Sequence, residues 1–397
     1  MISRRMEDSL RCGSAIREAY NEARRLSALY GPEHIFDLSL GNPSAPSPAR
    51  VRQAILELGQ NPQLNHMYMC DAGYEYVRDR IAQSLNRRFQ AGCTLEQLVM
   101  SVGAAGGLNA VFYSLLDRDD EVILFRPYYP AYTEFIENWG GCPVEVPPEG
   151  PDFQPDCEEL KKRITPRTKA VLVNSPHNPT GTIYTRETAR NIAEVLESKQ
   201  REYGHTIYLI SDEPYRELIY DGSTPIWWPH VYPNTIVVYS FSKSLSLPGE
   251  RIGYVLVSPH AEDCPRLIKA IRRATGCLGY VNAPAFFQQV IAQCLDEPVP
   301  LEFYRQNREM LYGTLKKLGF EAVEPRGTFY IWLKSPLEQE ADFLERAKAH
   351  RLIFVGSSAF SWNHYVRVSF CGPHEMLERA LPALAALAED CGLQAQD

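Results

Sequence analysis

The chain has 397 residues, 45% of them hydrophobic and 23% charged, and its 41 Lys+Arg against 49 Asp+Glu leave a formal charge of -8. That balance excludes a disordered chain, and the mild negative charge argues against nucleic acid as a partner, since phosphate backbones demand clustered positive charge. At ~100–200 residues per domain the length implies two or three domains that need no disulfide or metal staples. The ten cysteines, spread from Cys12 to Cys391, form no CxxC pair, and the nine histidines show no metal-ligand spacing. Free buried thiols in a reducing compartment follow.

Residues 1–8 carry Arg4, Arg5, Glu7 and Asp8 with no apolar run behind them, so no secretory signal opens the chain. No stretch approaches the ~18 apolar residues of a membrane span. The expectation is a soluble cytoplasmic protein. Residues 14 to 30, containing AIREAYNEARRLSALY, predict a helix that breaks at Gly31-Pro32 and leads as an arm into FDLSLG, ending at Gly41. From about residue 97 to 257 apolar runs alternate with helix-capable segments: LVMSV, EVILF, KAVLVNS, TIYLIS, TIVVYSFS and RIGYVLV. Near-continuous Val/Ile/Leu runs predict strands buried on both faces, hence a large three-layer α/β domain around a mostly parallel sheet. Within it, PVEVPPEGPDF (143–153) reads as a Pro-rich surface loop. After about residue 288, LEFYRQNREMLYGTLKKL and ADFLERAKAH alternate with FYIWLK and YVRVSF before a closing helix around EMLERALPALAALAEDC. This predicts a smaller α+β domain. The expected division is an arm and small-domain segment over 1–45, a large domain over 46–288 and a small domain over 289–397.

Open parallel sheets bind ligands beyond the carboxyl ends of their strands. After LVMSV come Gly103, Ala104, Ala105, Gly106 and Gly107, which are either a tight turn or a helix start whose free N–H groups hold a phosphate. KAVLVNS leads into PHNPTG, where Asn178 either initiates a turn or serves a site. TIYLIS leads into Asp212-Glu213-Pro214-Tyr215, where Asp212 is a helix cap or an isolated functional carboxylate. TIVVYSFS delivers Ser240, Ser242 and Lys243, with Arg251 further on. Ser240 and Arg251 form a surface pair or a phosphate clamp. Lys243 is the hardest to explain away, because an ammonium beside an apolar strand end is normally avoided unless paired or functional. A phosphate clamp, a lone carboxylate, a tyrosine and an amine together fit pyridoxal phosphate.

In SFSKSLSLPGERIGY (240–254), NSPHNPTG and SDEPY, in that order and spacing, the sequence resembles the class I/II, fold-type I pyridoxal-phosphate aminotransferases, in the aspartate and aromatic aminotransferase-like branch, nearly end to end. The resemblance implies a homodimer with shared active sites that moves an amino group between an L-amino acid and a 2-oxo acid by a ping-pong mechanism. It implies that Lys243 forms the internal aldimine and shuttles the proton, and that Asp212 pairs with the pyridinium nitrogen. Tyr215 and Asn178 would bond the ring's phenolic oxygen. Gly103, Ala104 and Ala105, with Ser240 and Arg251, would hold the phosphate. Tyr129, in PYYPAY, would stack on the pyridine; otherwise it is a core tyrosine. Tyr68, in YMCDAG, would reach the neighbouring subunit's cofactor phosphate. Arg367 would clamp the substrate carboxylate, which Gly41 approaches through its backbone; without the family Arg367 reads as an outward strand residue.

Ala105 stands where many relatives carry Thr, Gln or Lys, and neither that position nor the one matching Cys277 supplies a distal-carboxylate ligand, although Arg272 and Arg273 lie nearby. An aromatic, alanine-type or larger neutral substrate therefore stays open. Trp227 and Trp228 line a pocket or serve packing or a subunit interface. Other pyridoxal-phosphate reactions on the same scaffold (β-elimination, decarboxylation, cyclisation) are the first alternative. A non-catalytic sensor is the second, disfavoured because the roughly 45 residues before the body leave little room for a DNA-binding module.

Overall fold

The structure, a computed structural model, describes residues 2–4, 6, 7, 10 and 13–395; Met1, Arg5, Asp8 and Cys12 lie outside the described residues. The arm forms a helix, Ala15–Tyr30, capped by Ser14 and ended by Gly31. The strands in chain order are β1 (Phe36–Asp37), β2 (Leu98–Ser101), β3 (Glu121–Phe125), β4 (Cys142–Val146), β5 (Pro148–Glu149), β6 (Gln154–Pro155), β7 (Thr168–Asn174), β8 (Tyr208–Asp212), β9 (Thr235–Ser240), β10 (Gly253–Val257), β11 (Tyr330–Lys334), β12 (Leu352–Ile353), β13 (Val355–Gly356) and β14 (Tyr365–Ser369).

Seven of them make one sheet in the order β2-β10-β9-β8-β7-β3-β4. Every neighbouring pair is parallel except those of β10, which runs against both β2 and β9. The apolar runs are continuous because both faces are covered. Val122, Leu124, Leu172, Ile210 and Val238 pack under the helices Gly103–Leu115 and Cys264–Cys277. The alternate residues Ile123, Val171, Val173 and Leu209 pack under Arg186–Tyr203, and Val237, Tyr239 and Tyr254 under Glu75–Phe89. The segment expected as a Pro-rich loop is instead edge strand β4 plus the β5/β6 hairpin. Pro143 is tolerated there because an edge strand does not need every N–H in the ladder.

The second unit has an antiparallel sheet, β11-β14-β13, and the parallel pair β1/β12. Phe36 and Leu38, next to the arm, share one core with Leu311, Phe343, Val366 and Leu384. Segments from near both ends of the chain are therefore held together by the same apolar contacts, and the segment after β1 reaches the end of β9, where Gly41 O accepts from Lys243. No helix among the described residues is long and apolar enough to cross a membrane, and no cluster of potential metal ligands occurs among them. The nine described cysteines are free thiols.

Candidate active site

The reversed direction of β10 assembles one corner of the site. Its first residue, Gly253, pairs with Ser240 on one side and Ser101 on the other, so the chain just before it meets the ends of β2 and β9. Arg251 lies against Gly103, where an added Cβ would sit 2.8 Å from Arg251 Nη2 and where φ is +66°; a glycine satisfies both demands. The helix that Gly103 begins has Val102 at its N-cap and no capping side chain, which leaves its first N–H groups, including those of Ala104 and Ala105, for another acceptor. Ser240 is buried, its Oγ 2.7 Å from Ser242 Oγ. Arg251 Nη1 donates to Pro248 O at 2.8 Å. The turn at Gly103, Ser240 and the Arg251 guanidinium thus lie at one corner of the sheet.

Asp212 ends β8 and no helix follows it, so it is not a cap. Its Oδ2 accepts from Tyr132 Oη at 2.6 Å. Its Oδ1 is buried with no partner among the described residues. Burial raises the carboxyl to about 7, Glu213 adds in the same direction, and the Tyr132 hydrogen bond only partly opposes them. Tyr129 meets Tyr132 edge to face with ring centroids 5.5 Å apart; the charges of both Asp212 and Arg367 reach its hydroxyl.

Lys243 sits in the short helix Phe241–Ser244 directly after β9. Its Nζ donates to Gly41 O and lies 5.3 Å from the centroid of Phe329. Burial lowers the amine to about 8; Arg367 and Arg251 push the same way, while Cys371 opposes them. Gly41 cannot carry a side chain, since a Cβ there would lie 1.8 Å from Tyr330 Oη. Tyr330 Oη is 3.1 Å from Tyr215 Oη, and its ring carries the Arg367 guanidinium at 4.2 Å. Arg367 is 2% exposed. It donates from Nη1 to Asn178 Oδ1 at 3.0 Å and from Nη2 to Ser39 O at 2.7 Å. Its Nε has no partner among the described residues. This corrects the outward placement that strand pattern alone suggests: β14 is the central strand of its sheet, and its residues Val366 to Ser369 are buried on both faces. Asn178 itself starts a turn and also holds Arg367, while its backbone N–H donates to Asn174 Oδ1 at 2.9 Å. Its neighbour His177 is held neutral, its pKa lowered to about 3 by burial.

Tyr68 is 94% exposed and is not brought to these residues within the chain. Arg272 is tied to Asp71, Nε to Oδ1 at 2.7 Å. Trp228 is fully buried core and serves packing, whereas Trp227 stacks on Phe89 at 4.8 Å and also lines a surface hollow. Tyr132 and Tyr330 were not anticipated. The first was signalled by standing one helical turn after Tyr129, the second by FYIWLK alternating beside the Arg367 strand. Behind the site, on the opposite face of the sheet, Glu213 pairs with Arg216 at 2.5 Å, both 2% exposed. A hydrogen-bonded chain runs outward from the residue after Lys243: Tyr239 Oη to Ser244 Oγ at 2.8 Å, Tyr239 Oη to Glu217 Oε2 at 2.9 Å, and Arg88 Nη2 to Glu217 Oε1 at 2.9 Å.

An amine kept near neutrality, a carboxylate with a bare oxygen, an anion cradle and a buried guanidinium at the ends of a mostly parallel sheet define a fold-type I pyridoxal-phosphate enzyme. The chain belongs to the aminotransferase class I and II family, whose model matches residues 33–384, and it is a pyridoxal-phosphate-dependent aminotransferase of the aspartate aminotransferase-like branch. It is 33% identical over 372 residues to a probable aspartate/prephenate aminotransferase of Thermus aquaticus, covering 88% of this chain and 90% of the relative. It is 33% identical over 319 residues to an arginine–pyruvate transaminase of Pseudomonas aeruginosa, covering 78% and 77%. An aminotransferase crystal structure from Eubacterium rectale superposes with a TM-score of 0.94 at 38% identity, covering 98% of this chain and 99% of the other.

Proposed function

We propose that the enzyme transfers the amino group of an L-amino acid to a 2-oxo acid in two successive half-reactions of a ping-pong cycle, with Lys243 as both the covalent anchor of the cofactor and the proton carrier. When bound, pyridoxal phosphate supplies a reactive aldehyde and a ring that accepts the electron pair of a broken Cα bond. The residues present fit it. Asp212 Oδ1, buried and without a partner among the described residues, suits a protonated ring nitrogen. The Gly103/Arg251 cradle, which a Cβ would fill, suits a phosphate together with Ser240 and the N–H groups of Ala104 and Ala105. Tyr215 and Asn178 are assigned to the phenolic oxygen and Tyr129 to the ring face.

Each side chain then has a task the geometry supports. Arg367, with Nε unpartnered and its fork already fixed by Asn178 and Ser39, holds the substrate carboxylate and sets the angle of the Cα–H bond. Lys243, an amine with a midpoint near 8, both accepts and returns a proton near neutral pH. Tyr330 fills the space Gly41 leaves and keeps Tyr215 and Arg367 aligned. Tyr68, exposed as it is, is assigned to the partner's site in a homodimer. We further take residues 1–45 and 289–397 as one small domain over the large domain 46–288.

The observation that carries this reading is the depressed lysine amine beside Gly41 at the end of β9. Borohydride reduction of the holoenzyme followed by peptide mapping should place the label on Lys243; a label on any other lysine refutes the assignment. Amino donor alone should release 2-oxo acid in an amount matching the enzyme sites, and release of ammonia would refute the two-stage exchange.

A further inference from the structure

A cavity of about 750 Å³ opens where the end of the helix Glu75–Phe89, the first turn of Arg186–Tyr203 and the segment 224–231 meet. None of the residues assigned above to catalysis or to the cofactor lines it. The volume lies in the range of small-molecule sites, roughly 300–1,000 Å³, in a hollow half open to solvent. Four basic groups line it, Arg88, Arg186, Arg190 and His230, and no acidic residue does. Their partners differ. Arg88 is already ion-paired with Glu217 at 2.9 Å, and His230 Nε2 lies 3.3 Å from Gln90 O. Arg186 has only a neutral partner, Thr224 Oγ1 at 2.8 Å. Arg190, exposed, has no ion pair among the described residues. Two exposed guanidiniums without a carboxylate partner, on successive turns of one helix, thus line the same hollow; in water their mutual repulsion is small, and an anion between them relieves it.

The rest of the wall is apolar, formed by Pro225, Ile226, Val231 and the edge of Trp227. Two unpaired guanidiniums match a dianion in charge, and their planar forks match the tetrahedral oxygens of a phosphate monoester. The apolar wall matches an organic substituent on that ester. We infer that this cavity binds a small organic phosphate between Arg186 and Arg190, at a site separate from the one around Lys243.

Calorimetric titration of phenyl phosphate into the holoenzyme tests this, because the cofactor's own phosphate then occupies the clamp at Gly103. One molecule should bind per chain. The double substitution Arg186→Glu with Arg190→Glu should weaken binding at least ~10-fold, while Arg186→Lys with Arg190→Lys, which keeps the charge, should hold it within ~3-fold. Phenol should not bind. Unchanged affinity in the glutamate variant, equal loss in both double variants, or competition between phenyl phosphate and the amino donor would each overturn the assignment.

Discussion

Asp212 and Glu213 are consecutive buried acids at the end of one strand, yet they meet opposite fates. The alternation of the strand sends Asp212 toward Tyr132 on the face of the helix Gly103–Leu115 and Glu213 toward Arg216, Tyr239 and Tyr254 on the other. Glu213 has both oxygens engaged, by Ser211 and Arg216; Asp212 keeps one oxygen bare. The first arrangement is what burial of a carboxylate requires. The second is a cost that the fold alone does not explain, and it is incurred at the residue proposed above to meet the cofactor's ring nitrogen. The same contrast separates Lys243, an amine pressed toward neutrality, from Arg216, a cation enclosed by Glu213 and the rings of Tyr239, Phe89 and Trp227.

This contrast is open to attack by substitution. Lys243→Ala should lower turnover by on the order of 10⁴-fold with the fold intact; steady-state kinetics showing less than a tenfold loss would remove the lysine from the chemistry. On the other face, Glu213→Gln should cost about 3–5 kcal/mol in denaturant titration, because it strands a buried guanidinium. A loss below about 1 kcal/mol would mean that the two faces do not differ. Arg367→Ala should raise the KM for the amino donor by about 100-fold, a charge-assisted two-pronged contact being worth about 3 kcal/mol. An unmoved KM would take Arg367 out of the substrate site.

The smallest effect has the most telling sign. With a midpoint of about 7 in the fold against 3.8 for a free carboxyl, Asp212 leaves the cofactor-free protein unpenalised below pH ~4 and costs increasing stability as pH climbs to ~7. Asp212→Asn should therefore stabilise the cofactor-free protein at pH 8 and scarcely at pH 4, while abolishing turnover. Melting curves showing the reverse trend would place the unmet charge elsewhere.

The large sheet and its ligand-facing rim were legible in the sequence because each apolar run ends in a short polar segment whose residues sit close together in sequence: Asp212 with Tyr215, Ser240 with Lys243 and Arg251. The reversed direction of β10 was not legible, since its Val-rich composition is the same whichever way it runs. Long-range partners were also invisible: Tyr132 reaches Asp212 across 80 positions, and Tyr330 reaches Tyr215 across 115. Arg367 needed the family to be noticed, because strand alternation marks a side of a sheet and cannot say that both sides are covered. PVEVPPEGPDF differs from its expected loop for a related reason: prolines favour turns, yet an edge strand tolerates them.

The relay from Arg88 through Glu217 and Tyr239 to Ser244 gives the lysine's turn a handle on the solvent side. Engineers seeking to adjust the reactive amine need not rebuild the pocket around it. Altering Arg88, 34% exposed in its side chain, would change which groups Glu217 holds, and through the Tyr239 hydroxyl the hydroxyl next door to Lys243, leaving every residue proposed to hold the coenzyme in place.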